Sequence, residues 1–465
     1  MSNFRAAIKS WVLLSAVSFG CLSSPADPSL AGVPARPSPD WLRSGTVYEI
    51  FPRDFSPAGN LRGVTRHLDD LKNLGVGVLW IMPIHPIGEK FRKGEFGSPY
   101  SIKDYYAVDP NYGTLNDFKQ LVAEAHQRGM KVVMDLVANH TAWDSVMMAH
   151  PDFYKQDAPG HVIPPVPEWT DVAGLNYASP GLRTYMIDML KYWIKEADVD
   201  GFRCDVAYMV PTDFWEQVRA ALTTVKPDIM MLAEASKPEL LVKAFDIDYS
   251  WPLLATMNGV LIHDAPASEV RRTWEESRRQ FPKGALHLRI TDDHDEARAV
   301  ARYGLNGALA ASALMFTLDG VPLLYNGMEV GDATESGDPA LFDKLTIFWA
   351  PKERLPLRQV YHDLIQLRKQ YAALRSDRVD WLRNSEESRL VTFRRADDQD
   401  ELVVAINLSS RPVNAKVELA ETTGFQALKI AGVPEGKAGA LPSVQLNGFE
   451  WRIFHRSIVT TAAAK

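Results

Sequence analysis

The chain has 465 residues, which is long enough for two or three domains. Hydrophobic residues make up 46% of it and charged residues 23%, as is usual for a folded protein with a sizeable core. The formal net charge is −7 at pH 7, and no Lys/Arg-rich run offsets it, so the composition argues against a nucleic-acid-binding surface.

The N-terminus has the pattern of an export signal. Arg5 and Lys9 precede the short apolar run Trp11–Phe19, and small residues and prolines follow it. The run is shorter than the roughly 20 residues that cross a bilayer as a helix, so no membrane span is expected. With cleavage near Ala26, the protein is expected to be periplasmic or extracellular. The alternative is a bacterial lipoprotein signal, in which Cys21 carries a lipid anchor and holds the protein at the cell surface.

The cysteine content excludes a disulfide framework. Cys21 and Cys204 are the only cysteines, and Cys21 is either removed with the signal or lipidated. No intrachain disulfide is therefore expected, even in an oxidising compartment.

From residue 46 onward, helix-like and strand-like segments alternate. One helix ends at Gly75, the next begins at a capping box formed by Thr114 and Asp117, and another begins at Ser179 followed by proline. The alternation predicts a mostly parallel sheet, but it does not distinguish an open doubly wound sheet from a closed barrel. The predicted strands are short apolar runs of the kind that parallel sheets bury on both faces: Val76–Ile84, Lys131–Val137, Gly201–Val206, Ile229–Ala235, Leu286–Thr291 and Val321–Tyr325.

Three segments depart from this alternation. Residues 27–45 are rich in Ser, Pro and Ala and are predicted to be a flexible leader. Thr141–Leu175 is rich in Pro, Asp and aromatic residues and is interpreted as an excursion after the third strand. Beyond residue 376 short strand-like runs predict a terminal antiparallel β domain, with a frayed tail from Ser457. Those runs are Arg389–Phe393, Leu402–Leu408 and Phe449–His455.

Polar side chains gather where four predicted strands end, at DLVANH (135–140), RCD (203–205), Glu234 and DDHD (292–295). In a barrel one βα unit takes about 30 residues. The first acid of DLVANH lies 70 residues before the Asp of RCD, which corresponds to one unit plus the excursion of 35 residues. From that Asp to Glu234 is 29 residues, and from Glu234 to the last Asp of DDHD is 61, or about one and two units. The spacing therefore predicts that all four segments meet at one rim.

Each of these residues also has an ordinary structural explanation. An acid after a strand most often caps the next helix, and Arg203 can simply pair with Asp205. These two residues are two apart on a strand and face the barrel, so Cys204 faces the helix layer as a packing residue. Acids, two histidines and an arginine recur at spacings of whole βα units, however. This recurrence favours a functional site over the structural explanations.

Several carboxylates with few basic groups suit cleavage of a glycosidic bond. One acid protonates the leaving oxygen while another attacks the anomeric carbon or activates water, and retention needs the two roughly 5 Å apart, as adjacent strands allow. A hydrolytic metal site is the alternative, but the sequence contains no His-x-x-x-His or other tight ligand spacing.

The four segments resemble, in order, the conserved regions of the α-amylase family, glycoside hydrolase family 13. The resemblance runs from about Val47 to the C-terminus and implies a (β/α)8 TIM barrel with a short excursion domain after strand 3 and a C-terminal antiparallel β-sandwich. The segments that carry it are DLVANH, GFRCDVA (201–207), LAEA (232–235) and TDDHD (291–295), with the flanks VYEIFPRDFS (47–56), 97–114 and GVPLLYNGMEVGD (320–332). The implied domains are a signal at 1–26, a leader at 27–45, the barrel at 46–140 and 176–375, the excursion at 141–175 and the β domain at 376–460.

The resemblance also implies the catalytic roles. Asp205 is expected to be the nucleophile, Glu234 the general acid and then base, and Asp295 the group that stabilises the oxocarbenium-like transition state.

Four further residues are implied to bind substrate in the cleavage subsite. Tyr100 is expected to stack on the sugar ring, and His140 and His294 to hydrogen-bond its hydroxyls. Arg203 is expected to orient Asp205 and keep it ionised, since a nearby cation lowers a carboxyl pKa.

The chain departs from the family pattern at four positions. Many members hold a structural calcium through Asn139, an acid and a histidine, but Gly174 and Met209 stand at the latter two positions. The ligand set is incomplete, so no metal site and no cofactor are predicted, with a structural calcium bound through Asn139 as the alternative. Asp293 stands where asparagine is commoner, and Tyr208 replaces a lysine typical of several starch-degrading members, which leaves aglycone specificity open.

The resemblance implies hydrolysis of α-1,4-glucosidic bonds in starch-like glucans or maltooligosaccharides, with that glucan as the partner. A glucanotransferase, a maltogenic amylase or an α-glucosidase is the alternative, because the same covalent intermediate serves each. A non-catalytic glucan-binding protein is less favoured, because all three acids are present. Trp143, Trp169 and Trp251 could line sugar subsites, but core packing or loop anchoring explains each equally well.

Overall fold

The structure is a computed structural model that describes residues 28–334, 338–349, 357–433 and 439–458. The predicted export signal lies outside the described residues. The strands, in chain order, are β1 (Val47–Ile50), β2 (Val78–Ile81), β3 (Lys131–Leu136), β4 (His140–Ala142), β5 (Val172–Gly174), β6 (Gly201–Cys204), β7 (Met230–Ala233), β8 (Ile247–Tyr249), β9 (His287–Arg289), β10 (Val321–Tyr325), β11 (Asp380–Trp381), β12 (Leu390–Ala396), β13 (Asp400–Asn407), β14 (Val413–Lys416), β15 (Gln426–Ala427), β16 (Ser443–Leu446) and β17 (Trp451–Ser457).

The helices are α1 (Asp40–Ser44), α2 (Pro52–Phe55), α3 (Leu61–Thr65), α4 (Leu68–Leu74), α5 (Leu115–Gln127), α6 (Pro180–Ala197), α7 (Thr212–Thr223), α8 (Leu240–Lys243), α9 (Trp251–His263), α10 (Ser268–Gln280), α11 (Ala299–Thr317), α12 (Asp338–Phe342) and α13 (Leu357–Gln370). In the described part of the chain, none of them is both long enough and apolar enough to cross a membrane.

Eight parallel strands close into a barrel in the order β1-β10-β9-β8-β7-β6-β3-β2. The closing pairs place Val47 of β1 opposite Leu323 of β10 on one side and Val78 of β2 on the other. The predicted TIM barrel is confirmed, and the open sheet is excluded.

The barrel strands are apolar on both faces because each face is buried against a different layer. Trp80, Val133 and Leu288 point into the barrel and form one apolar cluster. Leu79 and Phe202 point outward into the larger core under the helices. The active-site end is therefore carried by a rigid, fully packed scaffold.

Two predicted helix starts are present at the expected residues. The Thr114 side chain accepts a hydrogen bond from the Asp117 N–H at 3.2 Å, and the Thr114 N–H donates to the Asp117 carboxylate at 2.9 Å, which completes the capping box of α5. The Ser179 hydroxyl accepts from the N–H of Leu182 at the start of α6, where Pro180 takes the first helical position.

The segment from residue 28 to 45 differs from the predicted flexible leader. Leu42 of α1 is fully buried and belongs to the apolar cluster inside the barrel. Arg36 pairs with the buried carboxylate of Asp246 at 3.1 Å, and the Ala35 N–H donates to the Lys283 carbonyl at 2.9 Å. A Pro- and Ser-rich composition does not reveal one buried leucine and one partly buried ion pair, so these contacts could not be predicted from it.

The predicted excursion leaves the barrel after β3. Its strands β4 and β5 pair antiparallel, with His140 opposite Gly174. Neither of these short strands was predicted, because three residues are too few to show a period.

The C-terminal part is antiparallel, as predicted. One sheet has the order β11-β12-β13-β17-β15, and β14 pairs with β16. Val403 and Phe454 of the larger sheet share an apolar cluster with Val413 and Val444 of the smaller one, which makes a sandwich. The last strand runs to Ser457, where fraying was expected to begin, and residues 459–465 lie outside the description.

Candidate active site

The four polar segments meet at the carboxyl ends of the barrel strands. Asp135 lies in β3, Arg203 lies in β6, and Glu234 directly follows β7. Asp295 lies in the loop between β9 and α11. Strands β3, β6 and β7 are consecutive neighbours, so the spacing argument placed these side chains correctly at one rim.

Arg203 lies at the centre of the site and contacts three carboxylates. Its side chain is fully buried, and Nη1 lies 3.1 Å from both Asp135 and Asp205. Nη2 lies 2.8 Å from Oε2 of Glu234. The guanidinium also stacks 5.0 Å from the ring centroid of Trp80. One cation therefore fixes Asp205 and Glu234 from the same side.

Cys204, between Arg203 and Asp205, is fully buried among the helix-layer residues, as predicted from the strand period. Burial raises the pKa of its thiol, so it remains a protonated packing residue.

His294 links the opposite wall of the site. Its Nδ1 lies 2.5 Å from a Glu49 carboxylate oxygen, and its Nε2 lies 3.1 Å from Asp295. The Tyr100 hydroxyl lies 2.7 Å from the same Nε2, and the Tyr100 ring stacks on the imidazole at 5.4 Å. Tyr100, His294 and Asp295 thus form one connected group.

His140 lies at the start of β4, buried beside this group. Its ring packs edge-on against Trp169 at a centroid distance of 5.5 Å. Burial lowers the pKa of His140 to about 4, while Asp171 and a hydrogen bond to the Tyr100 backbone oppose the shift. The imidazole is therefore neutral near pH 7 and can donate or accept a hydrogen bond.

Asp205 and Glu234 behave as a coupled pair of carboxyls. Burial raises the pKa of Asp205, the charge of Glu234 raises it further, and Arg203 opposes both. Burial also raises the pKa of Glu234, against the effect of Arg203. Burial and the repulsion between two neighbouring carboxylates therefore favour retention of a proton on the pair.

Asp295 stays ionised for a different reason. Its side chain is 40% exposed and marks the mouth of the site. Burial on its inner side opposes ionisation, but the charge of His294 outweighs this and lowers the pKa of Asp295. Conversely, burial disfavours the imidazolium form of His294, but Asp295 and Glu49 outweigh it and raise the His294 pKa well above its ordinary value.

Asp293, which replaces the commoner asparagine, is fully buried behind Asp295. Its Oδ1 accepts from the N–H groups of Asp295 and Glu296 at 3.1 and 3.0 Å, and its Oδ2 has no protein partner. Burial and then the charge of Asp295 raise its pKa well above the ordinary carboxyl value, which favours the neutral acid over the carboxylate. The neutral acid is the form closer to asparagine in charge.

Three residues of the site were absent from the predicted set. Glu49 lies in β1 and Trp80 lies in β2. The sequence pattern did not distinguish these two side chains from residues of the hydrophobic core. Tyr249 in β8 belongs to no recognisable sequence motif, yet its hydroxyl lies 3.3 Å from Arg203 Nε. The available signal for Glu49 was a lone acid within the apolar strand VYEI.

The surroundings of Asn139 do not fit a calcium ion. Its side-chain nitrogen lies 3.7 Å from the Met209 sulfur and 3.4 Å from His140 Nδ1, whereas calcium takes oxygen ligands. Within the described ranges, no group of three or more His, Cys, Asp or Glu side chains is arranged to hold a metal.

Trp251 packs parallel to Tyr249 at a centroid distance of 4.8 Å and lies against the apolar cluster inside the barrel. This contact favours the packing explanation for that residue. Trp143 and Trp169 lie instead on the excursion.

Comparisons with known proteins agree on one family. The family profile described as "Alpha amylase, catalytic domain" matches residues 40–158 and 168–343. A cyclomaltodextrinase of Geobacillus thermopakistaniensis is 29% identical over 80% of this chain and 70% of its own length. An intracellular maltogenic amylase of Bacillus subtilis is 29% identical over 80% of this chain and 69% of its own.

Two solved structures extend this likeness to the whole fold. An α-amylase from Lactobacillus plantarum has a TM-score of 0.79 and 30% identity over 89% of this chain and 99% of its own. A maltogenic α-amylase from Thermotoga neapolitana has a TM-score of 0.80 and 28% identity over 90% and 100%.

Proposed function

The chain belongs to the α-amylase family, and from that premise we propose that it is a retaining glycoside hydrolase that cleaves α-1,4-glucosidic bonds in maltooligosaccharides and starch-like glucans. The observation that carries the proposal is the coupled pair of Asp205 and Glu234, held on adjacent strands by one arginine. Such a pair retains a single proton, which is the protonation state that a retaining mechanism needs at the start.

In the first step, the Asp205 carboxylate attacks the anomeric carbon as the bond to the glycosidic oxygen breaks. Glu234 gives its proton to that oxygen, so the leaving sugar departs as an alcohol. The result is a covalent glycosyl ester on Asp205, and Glu234 is left ionised. Asp295, ionised at the mouth of the site, stabilises the positive charge that develops on the sugar ring.

In the second step, Glu234 takes a proton from water, and the oxygen of that water attacks the anomeric carbon. The ester bond breaks, Asp205 leaves as a carboxylate, and two inversions return the α configuration. Tyr100, His140 and His294 are proposed to hold the sugar through its ring face and hydroxyls, while Arg203 orients Asp205.

The family resemblance also supports a second candidate function. Among the relatives compared, one is named a cyclomaltodextrinase and another a maltogenic amylase, so release of maltose from short or cyclic substrates is the favoured alternative to starch hydrolysis. Transfer to a sugar acceptor would use the same glycosyl ester, with the acceptor hydroxyl in place of water.

The experiment is to incubate the chain from residue 27 onward with soluble starch, a cyclodextrin and maltotriose, with Asp205→Asn as the inactive control. Release of α-configured products by the wild type alone supports a retaining α-glucan hydrolase, and relative rates on the three substrates separate the two candidates. Absence of turnover on all three by folded protein would refute the proposal.

Export is a further part of the proposal. It rests on residues 5–26 alone, since the Bacillus subtilis relative is named an intracellular enzyme. Expression of the full chain in a bacterium and mass spectrometry of the N-terminus test it: a start near residue 27 indicates ordinary cleavage, a lipidated Cys21 indicates an anchor, and an uncleaved chain in the cytoplasm contradicts export.

A further inference from the structure

Glu49 is a fully buried acid in the apolar strand β1. One of its carboxylate oxygens, Oε1, lies 2.5 Å from Nδ1 of His294. The other oxygen, Oε2, has no hydrogen-bond partner in the described part of the chain. A buried carboxylate with an unpartnered oxygen costs free energy, because it gives up hydrogen bonds to water that the protein does not replace. Stability therefore does not explain Glu49, and its contact with His294 points to a role in the site.

The ring of His294 has an acceptor at each nitrogen. Nδ1 faces the Glu49 carboxylate, and Nε2 lies 3.1 Å from the Asp295 carboxylate and 2.7 Å from the Tyr100 hydroxyl oxygen. That hydroxyl lies 3.2 Å from Asp135, to which it donates its single proton, so its oxygen is free to accept from Nε2. Ionised carboxylates only accept. Both ring nitrogens therefore act as donors, and an imidazole has two donors only when it is positively charged.

The proton between Glu49 and His294 belongs to the imidazole, which in water is the stronger base by about two pH units. Burial disfavours the charged ring, but Asp295 and then Glu49 outweigh burial and raise the pKa of His294 well above its ordinary value. The charged or titratable side chains around the ring are Glu49 in β1, Tyr100 between β2 and α5, Asp135 in β3, Arg203 in β6, Glu234 after β7, and Asp293 and Asp295 after β9. Acids outnumber the one arginine in this set, which favours the cationic ring.

The charge on His294 determines what its Nε2 atom can do. In the cation, Nε2 carries a hydrogen that can be donated to Asp295 or to a sugar hydroxyl at the mouth of the site. In a neutral ring whose Nδ1–H stays bonded to residue 49, Nε2 would carry a lone pair, which repels a carboxylate. Glu49 therefore influences Asp295 and the sugar through His294.

We propose that Glu49 is a positioning residue, which keeps His294 positively charged and its Nε2–H directed toward Asp295 and the hydroxyls of the bound sugar. The proposal deepens the function proposed above and rests on it. It assigns a role in the reaction to a buried strand residue outside the catalytic set, and the chemical step stays with Asp205 and Glu234.

The first measurement follows the protonation of His294 directly. Glu49→Gln removes the charge but keeps the shape, and its amide oxygen can still accept from Nδ1. Nitrogen NMR shifts of isotope-labelled histidine are recorded against pH, and the spectrum of His294→Asn identifies the signal among the 11 histidines. The midpoint of the His294 titration is expected to fall by about 1–3 pH units in Glu49→Gln, the usual effect of one opposite charge in contact.

The second measurement asks whether that charge matters for the reaction. For 4-nitrophenyl α-maltoside, kcat/KM reports the first step with little need for the proton of Glu234, because the leaving group departs without one. Below the titration midpoint of Glu49→Gln, its kcat/KM should stay within about threefold of the wild type, because His294 is charged in both proteins. Above that midpoint it should fall about 10- to 100-fold, the strength of a hydrogen bond to a charged group, while the wild type keeps its value up to its own, higher midpoint.

The matched control is Glu329→Gln. Glu329 is also a buried acid, but its carboxylate accepts from the Tyr48 hydroxyl at 2.6 Å and from the Gly327 N–H at 3.2 Å. This variant should leave the His294 midpoint in place. An unchanged midpoint in Glu49→Gln, or an equal loss of its kcat/KM at every pH, would overturn the proposal. Lack of wild-type turnover of every glucan and maltoside would instead refute the proposed function, while the His294 titration would still decide whether Glu49 holds the charge, so the two failures are distinguishable.

Discussion

Arg203 determines how much charge the catalytic pair can carry. A fully buried guanidinium must be neutralised, and Asp135 does this from the inner side, where Trp80 also donates to Asp135 at 3.0 Å. Because Asp135 already neutralises much of the charge of Arg203, the guanidinium stabilises the ionised forms of Asp205 and Glu234 only in part. Retention of a proton by the pair is therefore favoured even though both carboxyls contact the cation.

The first prediction concerns Glu234 as the proton donor. Glu234→Gln should lower kcat/KM on maltooligosaccharides by about 10²- to 10⁴-fold, the usual contribution of a general acid. On a 4-nitrophenyl α-maltoside, whose leaving group needs no proton, the first step should be much less affected, and a burst of nitrophenol should precede slow deglycosylation. Stopped-flow absorbance measures both phases. Glu269→Gln is the control: this carboxylate lies on α10, is partly exposed and pairs with Arg272. The control should behave as wild type, and equal loss on both substrates in Glu234→Gln would exclude Glu234 as the acid.

The second prediction concerns pH. The pair must hold one proton, so activity fails at low pH, where Asp205 is protonated, and at high pH, where Glu234 is ionised. Because the pKa values of both groups are raised, the two limbs of the kcat/KM profile should lie above the ordinary carboxyl range of about 4.

In Glu234→Gln the residue no longer titrates, so the alkaline limb that Glu234 sets should disappear when the activated substrate is used. Initial rates from pH 4 to 10 measure the profile. An alkaline limb that persists unchanged in the variant would assign it to another group.

At the scale of elements, α1 closes the amino end of the barrel. Leu42 is fully buried with Val47 and Val78, so this helix supplies part of the barrel core although it precedes the first strand. Leu42→Ala should lower the free energy of unfolding by about 2–5 kcal/mol, the cost of removing a buried leucine side chain and leaving a cavity. Urea denaturation followed by tryptophan fluorescence measures it.

Ile262→Ala, at an exposed position on α9, is the comparison and should change stability by no more than about 0.5 kcal/mol. If Leu42→Ala were as mild as this control, the segment before β1 would be the flexible leader that its composition suggests.

Elements differ in how far the sequence predicts them. Strands such as Lys131–Leu136 are predictable because burial on both faces leaves an unbroken apolar run. Strand β8 was missed because Asp248 interrupts its three residues. That carboxylate is buried within 2.5 Å of His287 Nδ1, a contact that no local pattern contains.

At the scale of the whole molecule, closure and the complete site depend on contacts between distant residues. The pairing of Val47 with Leu323 closes the barrel, and a helix–strand alternation is compatible with either outcome. Asp205, Glu234 and Asp295 were predicted from unit spacing and from the family motifs together. Glu49 was not, because its partner His294 lies 245 positions away and nothing in the strand itself indicates that contact.

The last prediction is that the folded chain does not depend on calcium. The position that would hold the ion offers Asn139 with a sulfur and an imidazole, and Gly174 provides no carboxylate. A calcium site saturated at 100 times its Kd would add about 2.7 kcal/mol to stability, so its loss would be visible as a lower Tm. We therefore expect the protein dialysed against EDTA to have the same Tm and the same kcat as the protein in 5 mM calcium, a concentration that would be about 100 times the Kd of such a site. A Tm that falls with EDTA and returns with calcium, but not with magnesium, would show that oxygen ligands elsewhere in the chain replace the missing acid and histidine.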